Sequence, residues 1–202
     1  MKRDTEILLN HLDRLNERII HRSVILELVR NVLRDEPRPY LERLRRSGRL
    51  VYIIKGYYYR LSIEEYYNNY TSYSSLEMVA AVLNKLKMQW YVGLQSALQH
   101  HKLVWQQPRA ITIISDSLSG EKVVRKTRFL FRKVRRDLIF SYQKHYSKKN
   151  IRYNVSSVEK TIADMAYFAV PVPKEVLEAA KPRELKKCLE TYPKITKQRL
   201  FS

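Results

Sequence analysis

The sequence predicts an α+β fold: an N-terminal winged helix-turn-helix unit followed by a C-terminal α+β domain with a small sheet and several helices. Three observations predict it. About the first 60 residues read as three helices and a short β-hairpin. After residue 75, apolar stripes at helical spacing and short β-rich runs fall into separate groups, the pattern of segregated helices and strands. Between the two parts, residues 66–75 contain tyrosine, asparagine, serine and threonine but no aliphatic side chain. The expected organisation is therefore a DNA-binding-type unit at 1–65, a linker at 66–75 and a basic α+β domain at 76–202.

Ile7, Leu8, Leu12 and Leu15 recur at helical spacing and predict a first helix over 5–15. Residues 18–22 are short and β-rich. Ser23 is placed to cap a second helix, with Glu27 early in it and Val24, Leu28, Val29 and Leu33 on its apolar side. Asp35-Glu36-Pro37-Arg38-Pro39 breaks the chain. Pro39 then suits the first position of a third helix, and Gly48 its C′ position. On that helix Leu41, Leu44 and Gly48 share a side. At about 100° per residue, Pro39, Glu42, Arg43 and Arg46 lie opposite, with Arg38 at the entry and Arg45 at the flank. Residues 49–54 and 57–61, joined through Lys55-Gly56, predict a hairpin with Lys55 at its tip.

In a winged helix-turn-helix the third helix enters the major groove and the wing lies beside it. That chemistry requires cations on the exposed side of the helix and at the wing. Arg38, Tyr40, Arg43, Arg45, Arg46 and Lys55 are accordingly the candidate DNA contacts. Arginine can fork onto guanine edges or phosphates, whereas Lys55 acts as a point charge. The competing readings are a solvated arginine-rich surface and a winged unit that binds protein.

In the second part, Leu76, Val79, Leu83 and Leu86 predict a helix over 75–88. Tyr91, Leu94, Ala97, Leu98 and His101 form another stripe after Trp90. Residues 111–114 and 127–133 read as strands, with 137–142 and 151–155 as two more. Ser156-Ser157-Val158-Glu159 opens a helix through about Phe168. Pro171 and Pro173 punctuate the chain before two short helices around 174–180 and 183–191.

The chain has 39 Lys and Arg against 20 Asp and Glu, a net charge of +19. A polyanion, most commonly nucleic acid, is the partner such an excess implies. The excess is uneven: residues 1–75 carry 14 basic and 10 acidic residues, and residues 76–202 carry 25 and 10. Lys122, Arg125, Lys126, Arg128, Arg132, Lys133, Arg135 and Arg136 are expected to form a second surface for DNA or a partner, with a solubilising surface as the alternative. A content of 45% hydrophobic and 29% charged residues excludes wholesale disorder. No apolar run approaches the roughly 20 residues of a membrane helix, and the N-terminus lacks the pattern of a secretory signal, so a soluble cytoplasmic protein is expected. A single cysteine, Cys188, excludes an internal disulfide and a cysteine-rich zinc site.

Three segments carry a family resemblance. Residues 91–103, Tyr-Val-Gly-Leu-Gln-Ser-Ala-Leu-Gln-His-His-Lys-Leu, follow the pattern Y-x-x-x-x-S-A-L-x-x-H-G-L. Residues 155–164, Val-Ser-Ser-Val-Glu-Lys-Thr-Ile-Ala-Asp, follow V-S-S-x-E-R-T-L-x-D. Residues 41–61 carry L-x-x-x-G-x-L and then K-G-Y-Y. In this order, over most of residues 5–170, they resemble the AbiEi-type antitoxins of abortive-infection toxin–antitoxin systems. Lys102 stands where that family usually has Gly, Lys160 where it has Arg, and 121–152 is unusually basic. The resemblance implies a DNA-binding antitoxin that represses its own promoter at inverted repeats. It also implies a nucleotidyltransferase-like toxin as partner, and a C-terminal domain tied to neutralising that toxin.

Catalysis is not expected. Glu159, Thr161 and Asp164 lack an ordered nucleophile–base pair and read as helix-start and internal polar residues. Asp116, Glu121 and Lys122 echo a nuclease centre without metal-ligand spacing, and the five histidines, 11, 21, 100, 101 and 145, have none either. No cofactor or metal is implied. The alternatives kept open are a stand-alone archaeal or mobile-element transcription factor without a toxin and, more remotely, a nucleic-acid-processing enzyme.

Overall fold

Leu8 and Leu12, one helical turn apart and both buried, set the inward side of α1 (Lys2–Asp13) in the computed structural model, which describes residues 2–201. β1 (Ile19–His21) follows, then α2 (Arg22–Leu28), which runs on through a π-helical turn at Val29–Leu33. Next come α3 (Pro37–Arg46), β2 (Leu50–Tyr52), β3 (Tyr57–Arg60) and α4 (Ile63–Tyr67). The three strands make an antiparallel sheet in the order β1-β3-β2. Leu8, Leu12, Ile20, Ile25, Val29, Tyr40, Leu44, Leu50 and Tyr58 form one apolar cluster inside this unit.

Local chemistry moves several boundaries from their expected places. The cap of α2 is His21, whose Nδ1 accepts from the Ser23 amide at 3.3 Å, and not Ser23 itself. α2 buries Ile25 and Val29, with Leu28 and Leu33 at the margin of the core. α3 starts at Pro37 rather than Pro39, because Glu36 already has extended cap geometry. Gly48, at φ +79°, occupies the left-handed position just after the helix, as expected. The hairpin turn has positive φ at both central residues, +52° at Lys55 and +80° at Gly56, and the Tyr57 amide donates to the Ile54 carbonyl at 2.9 Å. This is the tight turn whose twist matches a two-stranded ribbon. A Cβ on Gly56 would lie 2.9 Å from His21 Nε2.

The chain divides into two compact units, Met1–Val82 and Leu83–Ser202, within α5 (Ser75–Lys85). Residues 66–75 belong to the first unit. They are tied there by Glu65, a wholly buried acid whose oxygens accept from Ser62 N at 2.8 Å, Ser72 N at 2.6 Å, Arg18 Nη1 at 3.0 Å and the Tyr59 hydroxyl. Helix α4 has no periodic signal in the sequence because it is a single turn; Ser62 and Glu65 cap it reciprocally.

The second unit contains β4 (Trp90–Val92), α6 (Leu94–His100), β5 (Ile111–Ser115), β6 (Gly120–Val124) and β7 (Thr127–Lys133). A 3-10 turn at Arg136–Leu138 leads to β8 (Tyr142–Tyr146) and β9 (Arg152–Ser156). Four helices complete it: α7 (Val158–Tyr167), α8 (Lys174–Glu178), α9 (Pro182–Glu190) and α10 (Lys194–Phe201). The mixed sheet runs β6-β7-β5-β4-β9-β8, with β5–β7 and β4–β9 parallel and the other pairs antiparallel. The stripe from Tyr91 is helical only from Leu94 onward; Tyr91 itself lies in β4. Tyr91, Leu94, Leu98, Ile114, Ile162, Leu185 and Leu189 share one core.

Inside that core Lys160 is fully buried. Its ammonium donates to Asp164 Oδ1 at 2.6 Å, to the Tyr91 hydroxyl at 2.7 Å and to the Tyr192 hydroxyl, which uses all three of its protons. Tyr91 donates in turn to Asp164 Oδ2 at 2.9 Å, and Tyr192 to Oδ1. Burial lowers the Lys160 pKa, and the Asp164 carboxylate opposes the shift. Burial likewise raises the pKa of both tyrosines.

Two stability experiments follow from these buried acids. Burial acting alone would raise the Glu65 pKa, but hydrogen bonds from Ser62, Tyr59 and Ser72 outweigh it and hold the carboxyl at about 2, against an ordinary 4.5. A depressed pKa contributes stability that is present above pH 4.5 and lost as the pH falls from there towards 2. Glu65→Gln is expected to cost about 3 kcal/mol at pH 7 and to flatten the pH dependence of urea unfolding across that window. For the other site, Asp164→Asn is expected to cost about 3–5 kcal/mol, since it strands a buried ammonium. Adding Lys160→Met is expected to restore at least half of that loss in the same unfolding measurement, and strictly additive losses would contradict the pairing.

Candidate nucleic-acid interface

Helix α3 presents Pro37, Tyr40 and Leu44, spaced three and four apart, to the interior. This corrects the expected role of Tyr40. It is only 6% exposed, its ring lies in the apolar cluster, and its hydroxyl donates to Asp35 Oδ2 at 2.8 Å. That bond, followed by one from the Glu36 amide, lowers the Asp35 pKa. The sequence pattern missed this because tyrosine suits either a core or a surface position. Arg43, expected to point away, is half-buried, with its guanidinium 5.0 Å from the Tyr40 ring centre.

The remaining cations of α3 face water. Arg46 has 80% and Arg45 48% of its side chain exposed, both on the last turn. Both reach back to Glu42, Arg45 at 2.9 Å and Arg46 at 3.2 Å. Arg38 is exposed at the other end, about 12 Å away along the axis. Positions 37 and 39 are prolines, so the amino end of the helix lacks two of its free N–H donors and its positive charge rests on Arg38.

Lys55 is exposed at the hairpin tip. The hairpin and the helix share a charged neighbourhood: burial raises the pKa of Tyr58 on β3, and the charges of Arg45 and Arg22 act against that rise. Arg22 is a cation outside the set expected from the sequence. It is exposed at the start of α2, and its amide donates to the Gly56 carbonyl at 2.8 Å, directly beside the tip. The β-rich run at residues 18–22 carried the signal, because His21 in it pairs with Tyr57 across the sheet.

In the second unit the eight cations of 122–136 do not form one ridge. Lys122, Arg125, Lys126 and Arg128 are exposed on the β6–β7 hairpin, at the edge of the six-stranded sheet. Arg132 is half-buried on the side of the sheet where Tyr91 and Ile114 meet the core, 5.2 Å from the Phe168 ring centre. Lys133 ends β7, exposed, and Arg135 and Arg136 are exposed just beyond it, where Arg135 pairs with Asp137 at 2.9 Å. Pleating divides alternate strand residues between two faces, and seven residues of strand separate the two ends by about 20 Å.

Glu159 accepts from the Lys181 amide at 3.1 Å, and the Thr161 hydroxyl donates to the Ser157 carbonyl at 2.7 Å. His100 and His145 meet with ring centres 4.5 Å apart, and burial followed by the His145 charge lowers the His100 pKa. Among the described residues no group of three or more His, Cys, Asp or Glu side chains is placed to hold a metal ion. No helix among them is long and apolar enough to cross a membrane.

No protein-family model matches the chain, and no curated protein matches it. The fold is similar to the crystal structure of the RV2827C protein from Mycobacterium tuberculosis, with a TM-score of 0.60 and 13% identity over 98% of this chain and 75% of that one. At that identity the likeness concerns the α+β fold alone.

The placement of Tyr40 has a simple check. Tyr40→Phe keeps the ring and removes the bond to Asp35, so it is expected to lower the unfolding free energy. Denaturant unfolding that shows no loss would contradict the bond.

Proposed function

We propose that the protein is a sequence-specific DNA-binding repressor of the antitoxin type, in which the first unit acts as a winged helix-turn-helix. The order helix, strand, two helices and a two-stranded ribbon supports this reading, but one observation carries it. Arg45 and Arg46 project from the last turn of α3 into water, in the charged neighbourhood of a hairpin whose tip carries Lys55. In this reading α3 enters the major groove of the operator, with Arg46 and Arg45 on base edges or phosphates and Lys55 and Arg22 on the flanking backbone. Glu42 holds the two arginines until DNA displaces it. Exposed pairs of this kind are worth about 0–1 kcal/mol, so the exchange costs little.

The protein-partner half of the proposal rests on the resemblance to AbiEi-type antitoxins and on one feature of the second unit. Leu177, Ala180, Leu185, Leu189 and Leu200 line an apolar groove of about 580 Å³ among α8, α9 and α10, with Lys186 and Lys197 beside it. An apolar segment of a toxin fits such a groove.

The test is a fluorescence-anisotropy titration with duplex DNA from upstream of the protein's own gene. Arg45→Ala with Arg46→Ala is expected to weaken binding at least tenfold and to reduce the salt dependence, the slope of log K against log salt becoming shallower by roughly 0.9 for each phosphate no longer held. Glu42→Gln is expected to tighten binding a few-fold, by about 0.5–1 kcal/mol. Unchanged operator affinity in the double arginine variant, with its fold intact by circular dichroism, would refute the role of α3.

A further inference from the structure

The chain has two tryptophans in opposite situations, both in the second unit. Trp90 is 1% exposed, and its indole N–H donates to Asn84 Oδ1 at 3.3 Å. Trp105 is fully exposed. It sits on a well-anchored segment. On one side Lys102 takes φ +59° to end α6, the Leu103 amide donates to the Leu98 carbonyl at 2.9 Å, and Leu103 and Val104 pack on the core. On the other side the Ser96 hydroxyl donates to the Ala110 carbonyl at 3.3 Å and accepts from the Thr112 amide at 2.9 Å. The indole therefore stands in water on a short span held at both ends.

Sheet register shows which end of the sheet this segment enters. β5 and β7 are parallel, with Ile111 level with Phe129. The segment 105–110 accordingly enters the sheet at the end where the β6–β7 hairpin turns through Arg125 and Lys126. Arg109, Lys126 and Arg128 are exposed there, and neither 100–115 nor 122–128 contains an Asp or Glu. A flat apolar ring on the segment entering this end, with cations of one sign at the same end, is the combination that binds the stacked bases and phosphates of a single strand. A duplex offers only base edges and phosphates to such a ring; an unpaired base offers its face.

We infer that this end of the sheet binds single-stranded nucleic acid, with Trp105 stacking on an unpaired base and Arg109, Lys126 and Arg128 holding phosphates. This activity lies beyond duplex recognition by α3 and on a different unit.

The test is intrinsic fluorescence of the full chain, titrated with an oligothymidylate of about a dozen nucleotides and, separately, with a blunt duplex of mixed sequence. Because Trp90 is enclosed, a change in emission on binding reports Trp105. The single strand is expected to quench the emission. In both Trp105 variants binding is followed by the anisotropy of a dye-labelled oligothymidylate: Trp105→Ala is expected to weaken single-strand binding on the order of tenfold, while Trp105→Phe keeps most of the affinity. Arg109→Ala with Lys126→Ala is expected to make the salt slope shallower by roughly 0.7 for each phosphate no longer held. Arg45→Ala with Arg46→Ala is expected to leave the quenching intact, so a failure of α3 as the duplex reader and a failure of this site are told apart. Unquenched emission with the single strand, wild-type affinity in Trp105→Ala, or quenching by the duplex alone would each overturn the inference.

Discussion

The ion pair between Lys160 and Asp164, closed off by the hydroxyls of Tyr91 and Tyr192, is the constraint around which the second unit is arranged. It ties β4 to α7, and α7 to the corner between α9 and α10, which are segments distant in sequence. Taking two opposite charges out of water is costly, and the cost is met only when each donor and acceptor finds a partner. The four side chains meet that condition only in one arrangement: shifting α7 by one residue would leave an ammonium or a carboxylate unpartnered in an apolar core. The contribution of the cluster is thus to specify position more than to add net stability. Glu65 has the same part in the first unit, where its oxygens collect donors from α4, from Arg18, from β3 and from the segment after α4.

Once the interior is set in this way, each unit is free to carry cations outward. Arg49 and Arg60 are taken inward to Asp13, at 3.3 and 2.6 Å, and Lys160 to Asp164. The arginines of the last turn of α3 and the cations of the β6–β7 hairpin stay in water. Net charge would draw a polyanion near without regard to sequence, so in the proposed reading recognition comes from where these cations stand and what lies between them. On α3 they stand beside a hairpin; at the sheet end of the second unit they stand beside an exposed indole.

Elements whose residues repeat at a clear period were legible in the sequence. Leu8 and Leu12 marked α1, residues 111–114 marked β5, and Lys55-Gly56 marked the hairpin turn. The elements missed are those where the local pattern is silent. β6 carries four exposed residues out of five and has no buried face to alternate with. β4 was absorbed into the stripe of α6, because Tyr91 happens to fall in helical phase with Leu94 and Leu98. α10 is amphipathic to a small degree only, and α4 is a single turn. The motif ending in Asp164 announced a polar helix start. It could not announce Lys160 as an interior residue, since a lysine's burial is decided by partners about 30 and 70 positions away, Tyr192 and Tyr91.

The same limit governs the candidate contacts. Periodicity placed Arg46 outward and put Arg43 there by angle alone, whereas Tyr40 was counted among the contacts without an angle of its own. Tyr40 lies only about 40° around the helix from Leu44, so it belongs to the buried side, where its bond to Asp35 holds it. Once Tyr40 is inside, Arg43 follows it part of the way, because its guanidinium lies over the face of that ring. The exposed charge of Arg45 and Arg46 then stands on the last turn, apart from that of Arg38 at the other end. In the proposed reading this pair meets one short stretch of backbone and groove, and its position rather than the net charge carries the recognition.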